Sequence, residues 1–298
     1  MSRILYLLSN ETEPDVRLSD ALLYAALKER LGDRLEPVSA SRYRPGPEPL
    51  WGRDPYRSLA ARIRTVTEAY EDPAVLDTLE ARILPRHAVQ AEMDRIAGTG
   101  FGASLRNMRD PEQYVRHCAR GDRFTQHQTA IRSDRYDHPV LVCPNRDLEY
   151  VRRFLIVAGG VAAETPYRFC SETPTDLLRP GADLLQAEDF LSPLTDEDPV
   201  WRDLQRSEAD RLLDRFPLRS GAIDVGLRIT ADGEVTPHVQ EVIAAPPGAF
   251  DTFYADVRAY AGAISENLAI LEPALGDAGG AEPCPPPPPP SPRSMRSG

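Results

Sequence analysis

Apolar and polar positions change period several times along the chain, and each change marks an element. "RILYLLS" (3–9) is a short apolar strand, and "RLEPVSA" (34–40) is a second. Between them "LSDALLYAALKERLG" (18–32) repeats at helical spacing through Leu18, Leu22, Ala25 and Ala26, with Gly32 as its stop. This β-α-β opening predicts a small N-terminal α/β unit over 1–86. Inside it "RPGPEPLWG" (44–52) breaks the pattern, and helices are expected over 56–70 and 73–83, the second opening on Pro73.

From residue 87 the texture alternates faster. "HAVQAEM" (87–93), "AGTGFGAS" (97–104) and "LRNM" (105–108) predict strand, glycine-rich loop and strand. "DPEQYVRHCARG" (110–121) has Asp110 as N-cap and Pro111 in its first turn, which predicts a short helix. "HPVLVC" (138–143) reads as a brief strand closing an 87–143 subdomain, and 148–169 as a hairpin around Gly159-Gly160. An acidic, Pro-rich stretch (174–200) precedes helices over 203–216 and 251–271, so that 144–275 forms a further subdomain. The tail 276–298 has no apolar anchors, and its proline run favours extended, disordered chain.

"AIDVGLRITADGEVTPHVQEVIAAPPG" (222–248) is the most informative stretch, two strands folded over Asp232-Gly233. A two- or four-residue loop there sets Asp224 directly opposite Glu241, with Cβ atoms about 4.5–5.5 Å apart; a three-residue loop shifts the register. Ile223, Val225, Leu227 and Ile229 then face the core, and His238 shares that core-side phase. Like charges directly opposite destabilise a strand pair. Compensation is therefore expected from a divalent cation, from an arginine such as Arg219 or Arg228, or from water. Two carboxylates together with substrate phosphates suit Mg²⁺.

With 41% hydrophobic and 27% charged residues, the 298-residue chain has the composition of a soluble globular protein, and its net charge of −11 argues against a nucleic-acid or anionic-membrane surface. "FLIVAGGVAA" (154–163) is too short to cross a bilayer, the N-terminus does not read as a signal peptide, and a cytoplasmic location is expected. Cys118, Cys143, Cys170 and Cys284 show no zinc or staple spacing. Lys28 is the only lysine, so a phosphate site must use arginine, backbone amides or metal. On the 148–169 hairpin, Arg153 alternates out of phase with apolar Phe154 and Ile156, whereas Arg152 shares their phase and is expected to pair with Glu149 or another acid.

Residues 87–271 resemble the ATP-grasp superfamily, whose members couple ATP cleavage to joining a carboxylate to an amine or thiol. The resemblance is carried by 222–248, similar to the family's metal-bearing hairpin, by the glycine loop in 91–106, by 138–143 and by "RRFLIVAGGVAAETPYR" (152–168). It implies an α+β ATP-grasp-like fold, in which a small N-terminal α/β unit precedes two α+β subdomains enclosing a nucleotide cleft. It further implies Asp224 and Glu241 as Mg²⁺ ligands, and an ATP site drawing on Gly98, Gly100, Gly102, Leu141 and Cys143, with Arg95 or Arg106 replacing a phosphate-binding lysine. Arg153 and Arg168 would meet phosphate or the acyl group. The implied activity is an ADP-forming ligase for a small carboxylate and an amine, passing through an acyl phosphate. A relative that binds nucleotide without turnover is the alternative. The sequence departs from the family where Glu-x-Asn stands as Glu241-Val242-Ile243, where the usual lysines have no counterpart, and where Val151 replaces an acid.

Overall fold

The structure, a computed structural model, describes residues 3–8, 14–39, 48–52, 69–108, 116–127, 138–146, 148–166, 198–248 and 256–271. The N-terminal unit is the expected β-α-β: β1 (Ile4–Leu8), α1 (Pro14–Leu31) and β2 (Leu35–Ser39). It gains a strand where the prolines predicted only a break. β3 (Leu50–Gly52) joins the sheet in the parallel order β2-β1-β3. The prolines end just before it, and Pro49 still contributes its carbonyl, which accepts from the Leu5 N–H at 2.9 Å. Leu50 and Trp51 bury in the sheet.

The helix expected over 73–83 stops early. α2 (Pro73–Leu79) starts on the Asp72 cap and ends where Glu80 turns left-handed at φ 50°, and β4 (Arg82–Leu84) follows. The strand expected over 87–93 is instead the start of α3 (Val89–Gly98). Val89, Met93 and Ile96 are its buried apolar residues and recur at helical spacing, a period that seven residues are too few to separate from alternation. The glycine segment is thus a helix-to-strand link into β5 (Gly102–Asn107), not a loop between two strands. Residues 116–118, expected as helix, form β6 (Arg116–Cys118), and α4 (Phe124–His127) follows.

β7 (Val140–Asn145) completes an antiparallel sheet of order β4-β7-β5-β6. Ala103, Leu105, Val140 and Val142 face α3 in one core, which turns Ser104, Arg106, Leu141 and Cys143 to the opposite face.

The third sheet has the order β11-β10-β8-β9, all antiparallel. β8 (Glu149–Val157) and β9 (Gly160–Pro166) turn through Ala158-Gly159, one residue before the expected centre, both with positive φ as a tight two-residue hairpin requires. α5 (Pro199–Arg215) packs on one face of the sheet, and β10 (Ser220–Ile229) and β11 (Val235–Ala244) form the long hairpin. α6 (Val257–Glu266) and α7 (Leu268–Leu271) take the place of the single helix expected over 251–271. The sheet is buried on both sides. Phe154, Ile156, Ile223, Val225, Val239 and Val242 pack towards α5 and α2, while Leu155, Val157, Ala222 and Ile243 pack towards α6 and the N-terminal unit. No helix among the described residues is long and apolar enough to cross a membrane.

Two of the three glycines of 98–102, Gly100 and Gly102, have conformational work of their own. Gly100 sits at φ 97°, and a Cβ on Gly102 would lie 2.3 Å from the Cys118 carbonyl oxygen, whereas one on Gly98 would meet nothing within 4 Å. Gly102→Ala is therefore expected to cost about 2 kcal/mol or more in denaturant unfolding, and Gly98→Ala to be neutral or to stabilise by up to about 1 kcal/mol. Equal effects from the two substitutions would contradict the close approach of β5 to β6.

Candidate functional site

The long hairpin reaches the expected acid pairing by an unexpected route. The Gly233 N–H donates to Thr230 O at 2.9 Å and the Thr230 N–H to Glu234 O at 3.0 Å, which closes a three-residue loop with Gly233 left-handed at φ 83°. That loop alone would slip the register past the acids. A bulge repairs it: Val225 faces Val239 but Asp224 faces Glu241, so Gln240 is the extra residue. Asp224 and Glu241 therefore lie side by side on one face. His238 pairs with Gly226 and so takes the face of Asp224, not the core-side phase expected for it, because it lies between the three-residue loop and the bulge, where the register is still shifted.

Arginines supply the compensation for the like charges, and neither is one of the two expected. Arg153, paired with Asp224 across β8 and β10, forks onto it with Nε and Nη2 each 2.7 Å from a carboxylate oxygen. Both side chains are almost wholly buried. Arg106 reaches from β5 of the second sheet to Glu241 on β11, and its Nη1 also donates to the Tyr70 hydroxyl at 3.3 Å. Its guanidinium lies 5.7 Å from the centre of the Tyr70 ring. The Arg106 Nε is buried and has no partner among the described residues. Two carboxylates and two guanidiniums thus close into a quartet with no formal charge, joining two sheets.

Burial dominates the titration of this cluster. It pushes the Asp224 carboxyl up against the pull of Arg153, with Glu241 adding to the rise. It raises the Tyr70 hydroxyl, which stays neutral beside Arg106. Burial works against the charge on Arg106, but Tyr70 and Glu241 outweigh it and hold that charge firmly. The Cys143 thiol is pushed up to about 11 by burial, so it is a neutral neighbour of Arg106 and not a thiolate nucleophile. His238 is lowered by burial and by Arg146.

The remaining candidates scatter. Arg106, Leu141 and Cys143 share one face of the second sheet, but the Leu141 side chain is part of the hydrophobic core. Arg95 is held by Glu92 on α3, with its Nη2 2.6 Å from that carboxylate, and α3 covers the face opposite Arg106. The structure therefore does not bring Arg95 to the acid pair. Gly98, Gly100 and Gly102 lie on the helix-to-strand link, where Phe101 packs 4.8 Å from the Arg228 guanidinium on the Asp224 face of β10. Arg152 turns to the α5 face and meets Glu164 at 3.5 Å, an acid other than Glu149. Arg168 lies outside the described residues. Tyr70 was not legible as a site residue, since one tyrosine ending a helical pattern has no distinguishing spacing.

Removing Arg153 should expose the cost of burying Asp224. Arg153→Met is expected to lose about 3–5 kcal/mol at neutral pH by leaving an unpaired buried carboxylate. An acid whose folded pKa lies above its unfolded value favours the fold only while protonated, so this variant should lose stability as pH rises from about 4 towards about 8. Urea midpoints across that range check the sign; a midpoint that climbs with pH would refute the assignment.

No protein-family model and no curated protein matches the sequence. Solved structures do. D-cycloserine synthetase DcsG is 15% identical and superposes with a TM-score of 0.53 over 89% of this chain and 99% of that one. D-alanine–D-alanine ligase from Bacillus anthracis is 11% identical, with a TM-score of 0.50 over 93% of this chain and 98% of that one. A RimK domain ATP-grasp protein from Sphaerobacter thermophilus, 15% identical, gives 0.48 over 89% and 99%. At such identities the likeness is one of fold, and it spans almost the whole of each neighbour. With its parallel N-terminal unit, second antiparallel sheet and long hairpin in one chain, this protein has the ATP-grasp fold.

Proposed function

We propose that the chain is an ATP- and Mg²⁺-dependent ligase that joins a small carboxylate, an amino acid or peptide, to an amine through an acyl phosphate. The observation that carries this reading is the direct opposition of Asp224 and Glu241 on one face of an ATP-grasp sheet, flanked by Arg153 and Arg106. The neighbours named synthetase and ligase are consistent with it.

The donor set fits magnesium in kind. Mg²⁺ takes one or two carboxylates and completes its shell with water and phosphate oxygens. Glu241 is the more accessible ligand, its side chain 22% exposed, while Asp224 is buried and would share its oxygens with Arg153. Among the described residues no third acid, histidine or cysteine joins them in a metal-holding cluster. When bound, the ion would offset charge on the β- and γ-phosphates. Arg153 and Arg106 would hold anionic oxygens as rigid forks in a site with little water, where such donors act most strongly. The substrate carboxylate takes the γ-phosphoryl group and releases ADP; the amine then attacks the acyl carbon, phosphate departs and the amine loses a proton. None of these steps needs a protein nucleophile, which agrees with a protonated Cys143.

A second reading is favoured by the charge balance of the quartet. Four groups that neutralise one another need no metal, and a chain that retains the fold while binding nucleotide without turnover accounts for them equally. Thermal unfolding with Mg·ATP tests the nucleotide binding that both readings require: binding should add about 2.7 kcal/mol of stability at a hundredfold excess over the dissociation constant. Glu241→Gln, chosen because Glu241 is the less buried acid, should weaken Mg²⁺-dependent ATP binding by about tenfold or more. Unaltered affinity in that variant would dismiss the metal assignment. ADP release with candidate carboxylates and amines distinguishes turnover from binding alone.

A further inference from the structure

One polar side chain stands in an apolar stripe. α5 buries Gln205, Ala209, Leu212 and Leu213 against the third sheet, and Gln205 is wholly buried. Its Nε2 donates to two carbonyls on adjacent strands, Tyr150 O on β8 and, at 2.9 Å, Val225 O on β10. Its Oε1 has no partner among the described residues. A leucine would suit the stripe better, so a carboxamide there, with one atom left unsatisfied, carries a cost that some gain must offset.

The two carbonyls mark a second bulge. Val225 faces Arg152 but Leu227 faces Glu149, so two steps along β10 span three along β8, and Tyr150 takes φ 48°. A residue with a side chain in that left-handed conformation is strained unless its surroundings hold it. Two side chains of α5 meet it: Gln205 donates to the Tyr150 carbonyl, and the Trp201 ring lies 4.8 Å from that of Tyr150. The register beyond the bulge decides which way each neighbouring arginine points: Arg152 towards α5 and Glu164, Arg153 towards Asp224. A slip of one residue would exchange them across the sheet.

We infer that Gln205 is a positioning residue: its carboxamide clamps the β8 bulge to β10 and thereby aims Arg153 at Asp224. That the clamp serves phosphate or acyl-group recognition rests on the ligase reading above; that it aims Arg153 does not.

The test follows the Arg153 Nε–H by ¹⁵N NMR of the full chain labelled at arginine, its signal identified by its loss in Arg153→Lys. Gln205→Leu keeps the volume and removes both donors. It should speed solvent exchange of that proton by on the order of tenfold or more, beyond any change in global stability. Leu212→Ala, which weakens the same stripe without touching either carbonyl, should not. Gln205→Glu retains a single donor only when protonated. Relative to the unsubstituted protein at each pH, its exchange should slow again as pH falls through the carboxyl pKa, a rescue that packing alone does not give. Exchange at the Arg153 Nε–H that stays slow in Gln205→Leu, or that rises equally in Leu212→Ala, overturns the inference. The same holds for a Gln205→Glu variant insensitive to pH. The readout needs no nucleotide, so it decides the role of Gln205 whether or not Mg·ATP binds.

Discussion

The structure turns on a charge problem solved inside a β-sheet. Two carboxylates on neighbouring strands repel one another, and burial deepens the cost by withdrawing water from both. Arg153 resolves half of it within the sheet, from the strand on the other side of Asp224. Arg106 resolves the other half from a different sheet altogether. The contact between the two sheets is therefore electrostatic where it meets the acids, and it is stiffened by the buried Tyr70 hydroxyl and ring beside Arg106. A buried quartet of this kind is weak evidence for stability, since an apolar substitute of the same shape would often serve as well. Its presence points to a role for the charges themselves.

Two bulges bracket that cluster. Gln240 on β11 restores the acid pairing after a three-residue turn, and the β8 bulge at Tyr150 sets the phase of Arg152 and Arg153. The first lies opposite the Asp224–Val225 step of β10 and the second opposite the stretch from Val225 to Leu227, on the other side of the strand. Bulges re-aim side chains at the expense of ladder hydrogen bonds, and here a buried glutamine from α5 occupies the carbonyls at one of them. Helix, bulge, arginine and acid thus form one mechanical series, from the apolar layer over the sheet to the charged face beneath it.

Legibility in the sequence followed the range of the interactions. The β-α-β opening, the helix over 203–216 and the presence of both hairpins are legible because each depends on a local period or a turn signal; the Asp224–Glu241 opposition also holds, but through a three-residue turn corrected by a bulge and not through the even loop that predicts it. The strand assigned to 87–93 failed for want of length, since Val89, Met93 and Ile96 disclose a helical face only over a longer window. β3 was missed because prolines that end just before a strand resemble those that forbid one. Arg219 and Arg228 were named as possible partners for the acids by nearness in sequence, whereas the actual partners lie 71 and 135 residues away.

By itself the sequence determined the alternation that buries the hairpin on both faces, the two acids at matching positions on its strands, and an arginine-rich chain almost without lysine. Those are properties of single segments, set by side-chain period and turn chemistry. Which guanidinium meets which carboxylate, that a three-residue turn is corrected by a bulge, and that a glutamine on α5 clamps β8 to β10 were decided only when the sheets and helices packed. Such contacts join residues far apart along the chain, and no local period records a partner that arrives from another sheet.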